Sequence, residues 1–283
     1  MCGIVGYIGG QQAAPLLLEG LARLEHRGYD SAGVAVLGGS AGASLRVAKT
    51  AGRVRDLADA IPKRFAGRAG VGHTRWATHG PANDVNAHPH LDAKGDVAVV
   101  HNGIIDNAGA LRQRLADLGV DLLSDTDTEV IAHLVGRSEA KTLEGKVSEA
   151  LAQIDGTYGI AVLHAGFPDR IVVARHGSPL IIGVGEKEMH VASDLAALVR
   201  YTTTVAHLED GEIATVTAGG FTTYRQDLTP AARAATKLDL DPEAYDAGEH
   251  ESFMHKEMLE QPAAAERVLR GRLDDRFGTA HLG

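Results

Sequence analysis

A chain of 283 residues, 44% of them hydrophobic, is long enough to bury one large core or two modest ones. A formal net charge of −9 argues against a nucleic-acid footprint. A single cysteine excludes an internal disulfide framework and points to a reducing, cytoplasmic setting. No signal-peptide pattern opens the chain, and no apolar run has the length a bilayer requires, so no membrane partner is expected.

That one cysteine, Cys2, directly follows Met1 and opens the run Cys2-Gly3-Ile4-Val5-Gly6. Methionine is normally trimmed before a small side chain, which would leave Cys2 carrying both a thiol and a free α-amine. The amine, with a pKa of about 7.7–8.0, accepts a proton near neutrality far more readily than a lysine does. Nucleophile and base would then reside in one residue. A cysteine at position 2 by chance is the plain alternative.

Short runs rich in β-branched residues predict strands at residues 3–8, 33–37, 45–49, 69–74, 97–101, 159–164, 171–174, 180–184, 189–192 and 212–217. Helical periodicity predicts helices at residues 13–25, 54–61, 108–118, 127–136 and 143–154. The fourth has a capping-box start, with Thr126 as cap and Glu129 three residues on. Strands often follow strands directly, which favours antiparallel sheets flanked by helices over a doubly wound parallel fold. The many glycines suit short strands and tight turns. After residue 225 the texture turns polar and rich in turn residues, and a helix broken by Pro262 is expected over residues 255–272. Residues 226–283 read as a connector to something beyond this chain.

Five segments are denser in polar and rare residues than a plain core requires: His26-Arg27-Gly28-Tyr29-Asp30-Ser31, His73 through Gly80, Asn86-Ala87-His88-Pro89-His90, His101-Asn102-Gly103 and Ser124 through Glu129. Arg75 beside Trp76 fits a bidentate grip on a carboxylate under an aromatic cover, or a surface arginine beside a half-buried tryptophan. Asn102-Gly103 reads either as a hairpin turn or as an amide and a bare backbone N–H aimed at a developing oxyanion. Asp127 suits a helix N-terminus through the dipole, or the ammonium of a substrate. His79, His88 and His90 lack a recognised zinc spacing, so they read as structural hydrogen-bonding groups and no metal is expected.

Taken together, these segments resemble the class II glutamine amidotransferases. Within that class they are most similar to the glutaminase domain of the glutamine–fructose-6-phosphate aminotransferase (isomerizing) family. The resemblance rests on Cys2 through Gly6, Arg27-Gly28-Tyr29-Asp30-Ser31-Ala32-Gly33, His73 through Gly80, Val85 through His90, His101-Asn102-Gly103-Ile104-Ile105 and Thr126-Asp127-Thr128-Glu129. Met254-His255-Lys256-Glu257 and Glu260-Gln261-Pro262 are similar to that family's linker.

The resemblance implies an α+β fold, the αββα sandwich of N-terminal nucleophile hydrolases, with two antiparallel sheets between helical layers. It implies a glutaminase domain over residues 2–225 and a linker over 226–283 leading to sugar-isomerase domains absent from this chain. It casts Cys2 as the nucleophile with its own amine as base, and Asn102 and Gly103 as the oxyanion donors. Arg75 and Asp127 would grip the two ends of L-glutamine. Trp76, Thr78 and His79 would fall in a covering loop, and Arg27 and Gly28 would line the nucleophile's side. No cofactor is implied. In the longer protein the ammonia would pass to fructose-6-phosphate, and the whole enzyme would be a homodimer or larger. A purine-pathway amidotransferase of the same fold, or a silent module that retains Met1, are the alternatives.

Overall fold

The computed structural model of the chain describes residues 2–38, 43–240, 245, 248–274 and 278–280. Met1, on whose removal the amine argument depends, lies outside the described residues. The chain divides into two compact units after Leu240.

The first unit is built on two antiparallel sheets. In one, eight strands run in the order β15 (Thr236–Lys237), β11 (Thr204–His207), β9 (Ile181–Val184), β10 (Met189–Ala192), β1 (Gly3–Ile8), β4 (Ala69–Arg75), β2 (Ser31–Gly38) and β3 (Ser44–Ala51). In the other, seven run in the order β14 (Pro230–Ala231), β13 (Gly220–Arg225), β12 (Glu212–Thr217), β8 (Arg170–His176), β7 (Gly156–His164), β6 (Val97–Ile105) and β5 (His90–Leu91). The first sheet carries α1 (Ala13–Leu24) and α2 (Val54–Ala60), and the second carries α3 (Ala108–Asp117), α4 (Glu129–Arg137) and α5 (Leu143–Leu151).

The two-residue period of a strand explains the layering. Along β1, Ile4 and Ile8 point to the interior between the sheets, whereas Val5 and Tyr7 point to the layer of α1. Along β6, Ala98 and Val100 enter the same interior, and Val97 and Val99 face α4 and α5. Strands buried on both faces have no polar alternation, which is why they read as continuous apolar runs. Helix, sheet, sheet and helix therefore stack as the αββα sandwich that the motifs imply.

Some glycines serve this stacking and not turns. A Cβ on Gly70 would sit 2.8 Å from a Leu17 methyl, and one on Gly72 would sit 2.9 Å from a Leu21 methyl. The α1 helix thus lies almost directly on the backbone of β4.

Residues 226–240, read as connector, include β14 and β15, each hydrogen-bonded at the edge of a sheet. The fourth helix begins at Glu129, two residues later than the capping box predicts, and its Thr128 cap makes no side-chain cap bond. The hydroxyls of Thr126 and Thr128 are taken by histidines instead. The Glu129 carboxylate turns back to the N–H groups of Leu123 and Ser124.

The second unit contains α6 (Phe253–Leu269), started by Ser252, whose hydroxyl accepts from the His255 N–H at 3.1 Å. Pro262 lies inside this helix. A short ladder follows, formed by β16 (Leu273–Asp274) and β17 (Thr279–Ala280). Among the described residues no helix is long and apolar enough to cross a membrane.

Gly70→Ala is expected to lower stability by about 1–3 kcal/mol, because overpacking forces α1 off the sheet. The shift in urea midpoint at unchanged m-value measures it.

Candidate functional site

Cys2 lies immediately before β1, in the middle of its sheet, and next to the end of β4, where Gly3 pairs with Thr74. That register sets the thiol against the chain leaving β4. Its sulfur accepts the Trp76 N–H at 3.2 Å and lies 3.6 Å from the Trp76 carbonyl oxygen. Burial pushes the thiol pKa up, while the Trp76 hydrogen bond and the nearby Arg75 charge oppose that rise.

The second sheet supplies the facing wall. β6 extends past His101, so Asn102 and Gly103 are strand residues paired with Gly159 and Tyr158, not a hairpin turn. β5 pairs with Ala98 and Val99, short of the β6 residues that line the cavity. The Asn102 amide nitrogen donates to the Cys2 carbonyl at 3.1 Å, linking the two sheets at the thiol. Gly103 adopts φ +140°, and a Cβ there would lie 2.0 Å from the Thr157 carbonyl oxygen, so no other residue fits.

A cavity of about 280 Å³ opens over Cys2. Of the residues named from sequence, Cys2, Arg27, Arg75, Trp76, Thr78, His79, Asn102, Gly103 and Asp127 all line it. Gly28 does not. It packs against the main chain of Arg75 and Trp76, where an added Cβ would lie 2.9 Å from the Arg75 carbonyl carbon.

Arg75 is 3% exposed, and its guanidinium donates to the carbonyls of His79, Gly80 and Pro81, tying down the loop that follows Trp76. Asp30 anchors the same loop from the other side, accepting from the Ala77 N–H at 2.7 Å. Trp76 is 46% exposed and meets Tyr29 edge to face. Asp127 is 7% exposed and spends one carboxylate oxygen on the Ile105 N–H at 2.9 Å. Arg27 forms an ion pair with Asp194.

With these groups goes a buried lattice of histidines to which the sequence reading assigned no part in the chemistry, His88 and His101 bordering the cavity and His73 and His90 set back from it. His101 Nε2 faces the Thr157 carbonyl at 3.3 Å, an oxygen that only accepts, so that nitrogen carries the proton. Its Nδ1 must then accept from the Thr128 hydroxyl at 2.9 Å, and that hydroxyl in turn accepts from His88 Nε2 at 2.8 Å. His88 stacks on His73 with ring centroids 4.2 Å apart. Burial keeps this lattice neutral: it drives His73 and His90 down to about 3, and His88 and His101 also fall below their ordinary value. Among the described residues no three His, Cys, Asp or Glu side chains stand in an arrangement that could hold a metal ion. A histidine inside or at the end of an apolar strand, as in His73 and His101, was the available signal for this lattice.

A protein-family model described as a glutamine amidotransferase domain matches residues 51–234. The chain belongs to the glutamine amidotransferase family. The class II amidotransferase expected from the motifs is therefore what the chain is. Among curated proteins, it is 47% identical to the glutamine–fructose-6-phosphate aminotransferase [isomerizing] of Chlorobaculum tepidum, over all of this chain and 47% of that protein. It is 46% identical to the enzyme of the same name from Symbiobacterium thermophilum, over all of this chain and 46% of that protein. The chain thus spans about half the length of these relatives. Among solved structures it is similar to the glutamine phosphoribosylpyrophosphate amidotransferase of B. subtilis, complexed with ADP and GMP. There the TM-score is 0.69 at 28% identity, over 81% of this chain and 50% of that one.

The neutral histidines make stability depend on acidity. A histidine held near 3 in the folded chain and at about 6.5 in the unfolded one lets the unfolded state bind more protons between those values. Stability is then complete above about pH 6.5 and falls as pH drops, by up to about 1.4 kcal/mol per pH unit for each such histidine. Burial raises the Glu129 pKa, but the nearby His133 ring and hydrogen bonds from Leu123 and Ser124 outweigh it and hold the group at about 2. Its contribution is present above about 4.5 and is lost below that. Urea midpoints taken from pH 7 down to pH 4 should fall steeply before the ordinary carboxylate range is reached.

Proposed function

We propose that this amidotransferase domain hydrolyses the side-chain amide of L-glutamine, with Cys2 as nucleophile. The observation that carries the reading is the Cys2 thiol facing, across one cavity, the amide of Asn102 from the opposite sheet, with Arg75 and Asp127 in the same walls. A ligand with both an ammonium and a carboxylate needs one acidic and one basic partner. Asp127 keeps one carboxylate oxygen beyond its bond to Ile105, and Arg75 supplies the cation.

With Met1 removed, the Cys2 α-amine takes the thiol proton as sulfur attacks the amide carbon. The carbonyl electrons move onto oxygen, where the Asn102 amide and the Gly103 N–H stabilise the charge. Collapse expels ammonia, which leaves with the proton held by the amine, and a γ-glutamyl thioester remains on Cys2. Water, activated by the same amine, adds to the thioester and releases glutamate with the thiol restored. Trp76, Thr78 and His79 cover the ligand and exclude bulk water, and Arg27 borders the nucleophile. The burial that raises the thiol pKa makes a base at the nucleophile itself useful, since little free thiolate is present at neutral pH.

The names of the curated relatives extend the reading to the longer protein. There the ammonia is delivered to fructose-6-phosphate bound by domains beyond this chain, giving an amino sugar phosphate for amino-sugar biosynthesis.

Ammonia release from glutamine should vanish in Cys2→Ala, and intact mass should show a chain lighter by one methionine. Asn102→Ala should lower kcat about 10²–10³-fold with KM little changed, the usual loss for one oxyanion donor. Near-parental turnover in Asn102→Ala would remove that residue from the mechanism. Asp127→Asn should raise KM for glutamine by about tenfold or more, because it deletes a charge-assisted contact while keeping the shape. An unchanged KM would assign Asp127 to the Ile105 tether alone.

A further inference from the structure

His73 lies on β4, fully buried, two residues before Arg75, and the mechanism above does not use it. Its Nε2 stands 3.0 Å from the His101 carbonyl oxygen and 3.0 Å from Asn102 Oδ1. Because a carbonyl oxygen only accepts, Nε2 must carry the ring proton. That N–H tolerates only an acceptor opposite it, so the oxygen of the Asn102 carboxamide is turned towards His73. The nitrogen is therefore turned to Cys2, donating one N–H to the Cys2 carbonyl and keeping the other. A reversed carboxamide would oppose donor to donor at His73 and oxygen to oxygen at Cys2.

We propose that His73 is a positioning residue whose Nε2–H fixes the orientation of the Asn102 carboxamide, so that its nitrogen faces the reacting centre. The inference rests on the reading of Asn102 as an oxyanion donor. Two further observations support it. The His73 ring is stacked on His88, which Thr128 ties to His101, so the plane of the imidazole is held against a fixed neighbour. Burial also keeps the ring neutral, so a single tautomer holds through the working pH range. The same N–H grips the His101 carbonyl, so side chain and strand are held by one donor.

The test is a double-mutant cycle in glutamine hydrolysis by this chain. His73→Leu removes the donor, His73→Gln keeps an N–H at similar reach, and Asn102→Ala removes the group being oriented. Should leucine not fold, methionine, unbranched and of similar length, takes its place. His73→Leu is expected to lower kcat about tenfold with KM within about twofold, and His73→Gln to recover most of that loss. In the Asn102→Ala background, His73→Leu should cost nothing more. Multiplying losses in the double variant, or glutamine performing no better than leucine, would reduce His73 to a packing residue. If Asn102→Ala alone turned over like the parent, the oxyanion assignment would fall and this inference with it. If instead Asn102→Ala is impaired and only the cycle is additive, the assignment stands and the inference alone fails.

Discussion

The site depends on two sheets packed face to face so that the start of β1 and the far end of β6 meet. Each of these strands is buried on both sides, one face against helices and the other against the opposing sheet. Most residues within such a stack are apolar or very small, and the polar ones must find partners. The groups facing the cavity sit towards the rim. Cys2, Arg75, Asn102 and Gly103 all occupy that rim, and the hydrogen bond from the Asn102 amide to the Cys2 carbonyl joins the sheets there.

A further set of polar groups supports these. His88, His101, Thr126 and Thr128 border the cavity and His73 lies behind it, all almost wholly excluded from water and joined by hydrogen bonds or ring stacking. Buried polar groups of this kind are stable only when paired. Two ring nitrogens, Nδ1 of His73 and Nδ1 of His88, are buried without a partner. As bare acceptors they cost less to leave unmade than buried N–H donors would, which is consistent with the tautomers deduced above.

Much of the architecture was legible in the sequence because strand and helix periods are local. The apolar run at Gly3–Ile8 and the stripe of Leu17, Leu21 and Leu24 announce a strand and the helix covering it. What the sequence did not disclose is non-local. Asn-Gly reads as a turn until Gly159 and Tyr158 are seen paired across from it. Thr126 reads as a helix cap until His90 is found to engage its hydroxyl. Gly70 and Gly72 fall inside the predicted strand 69–74, but nothing local tells that their lack of side chains lets a helix rest on the sheet. The edge strands at Pro230–Ala231 and Thr236–Lys237 are too short to give a periodic signal. The candidate site was legible as a set of residue types, and all but Gly28 meet in one cavity. Asp30 and His73 fall in the polar segments singled out, but nothing local tells that they act on other residues and not on the cavity.

Arg75 holds the carbonyls of His79, Gly80 and Pro81 while lining the cavity through the same guanidinium. The cation proposed to recognise the ligand is thus also what ties down the loop that follows Trp76. A genetic screen would be unable to tell the two duties apart, since any neutral replacement at this position would both discharge the cavity and untie that loop. The proposed grip on the ligand and the course of the loop therefore rest on one side chain.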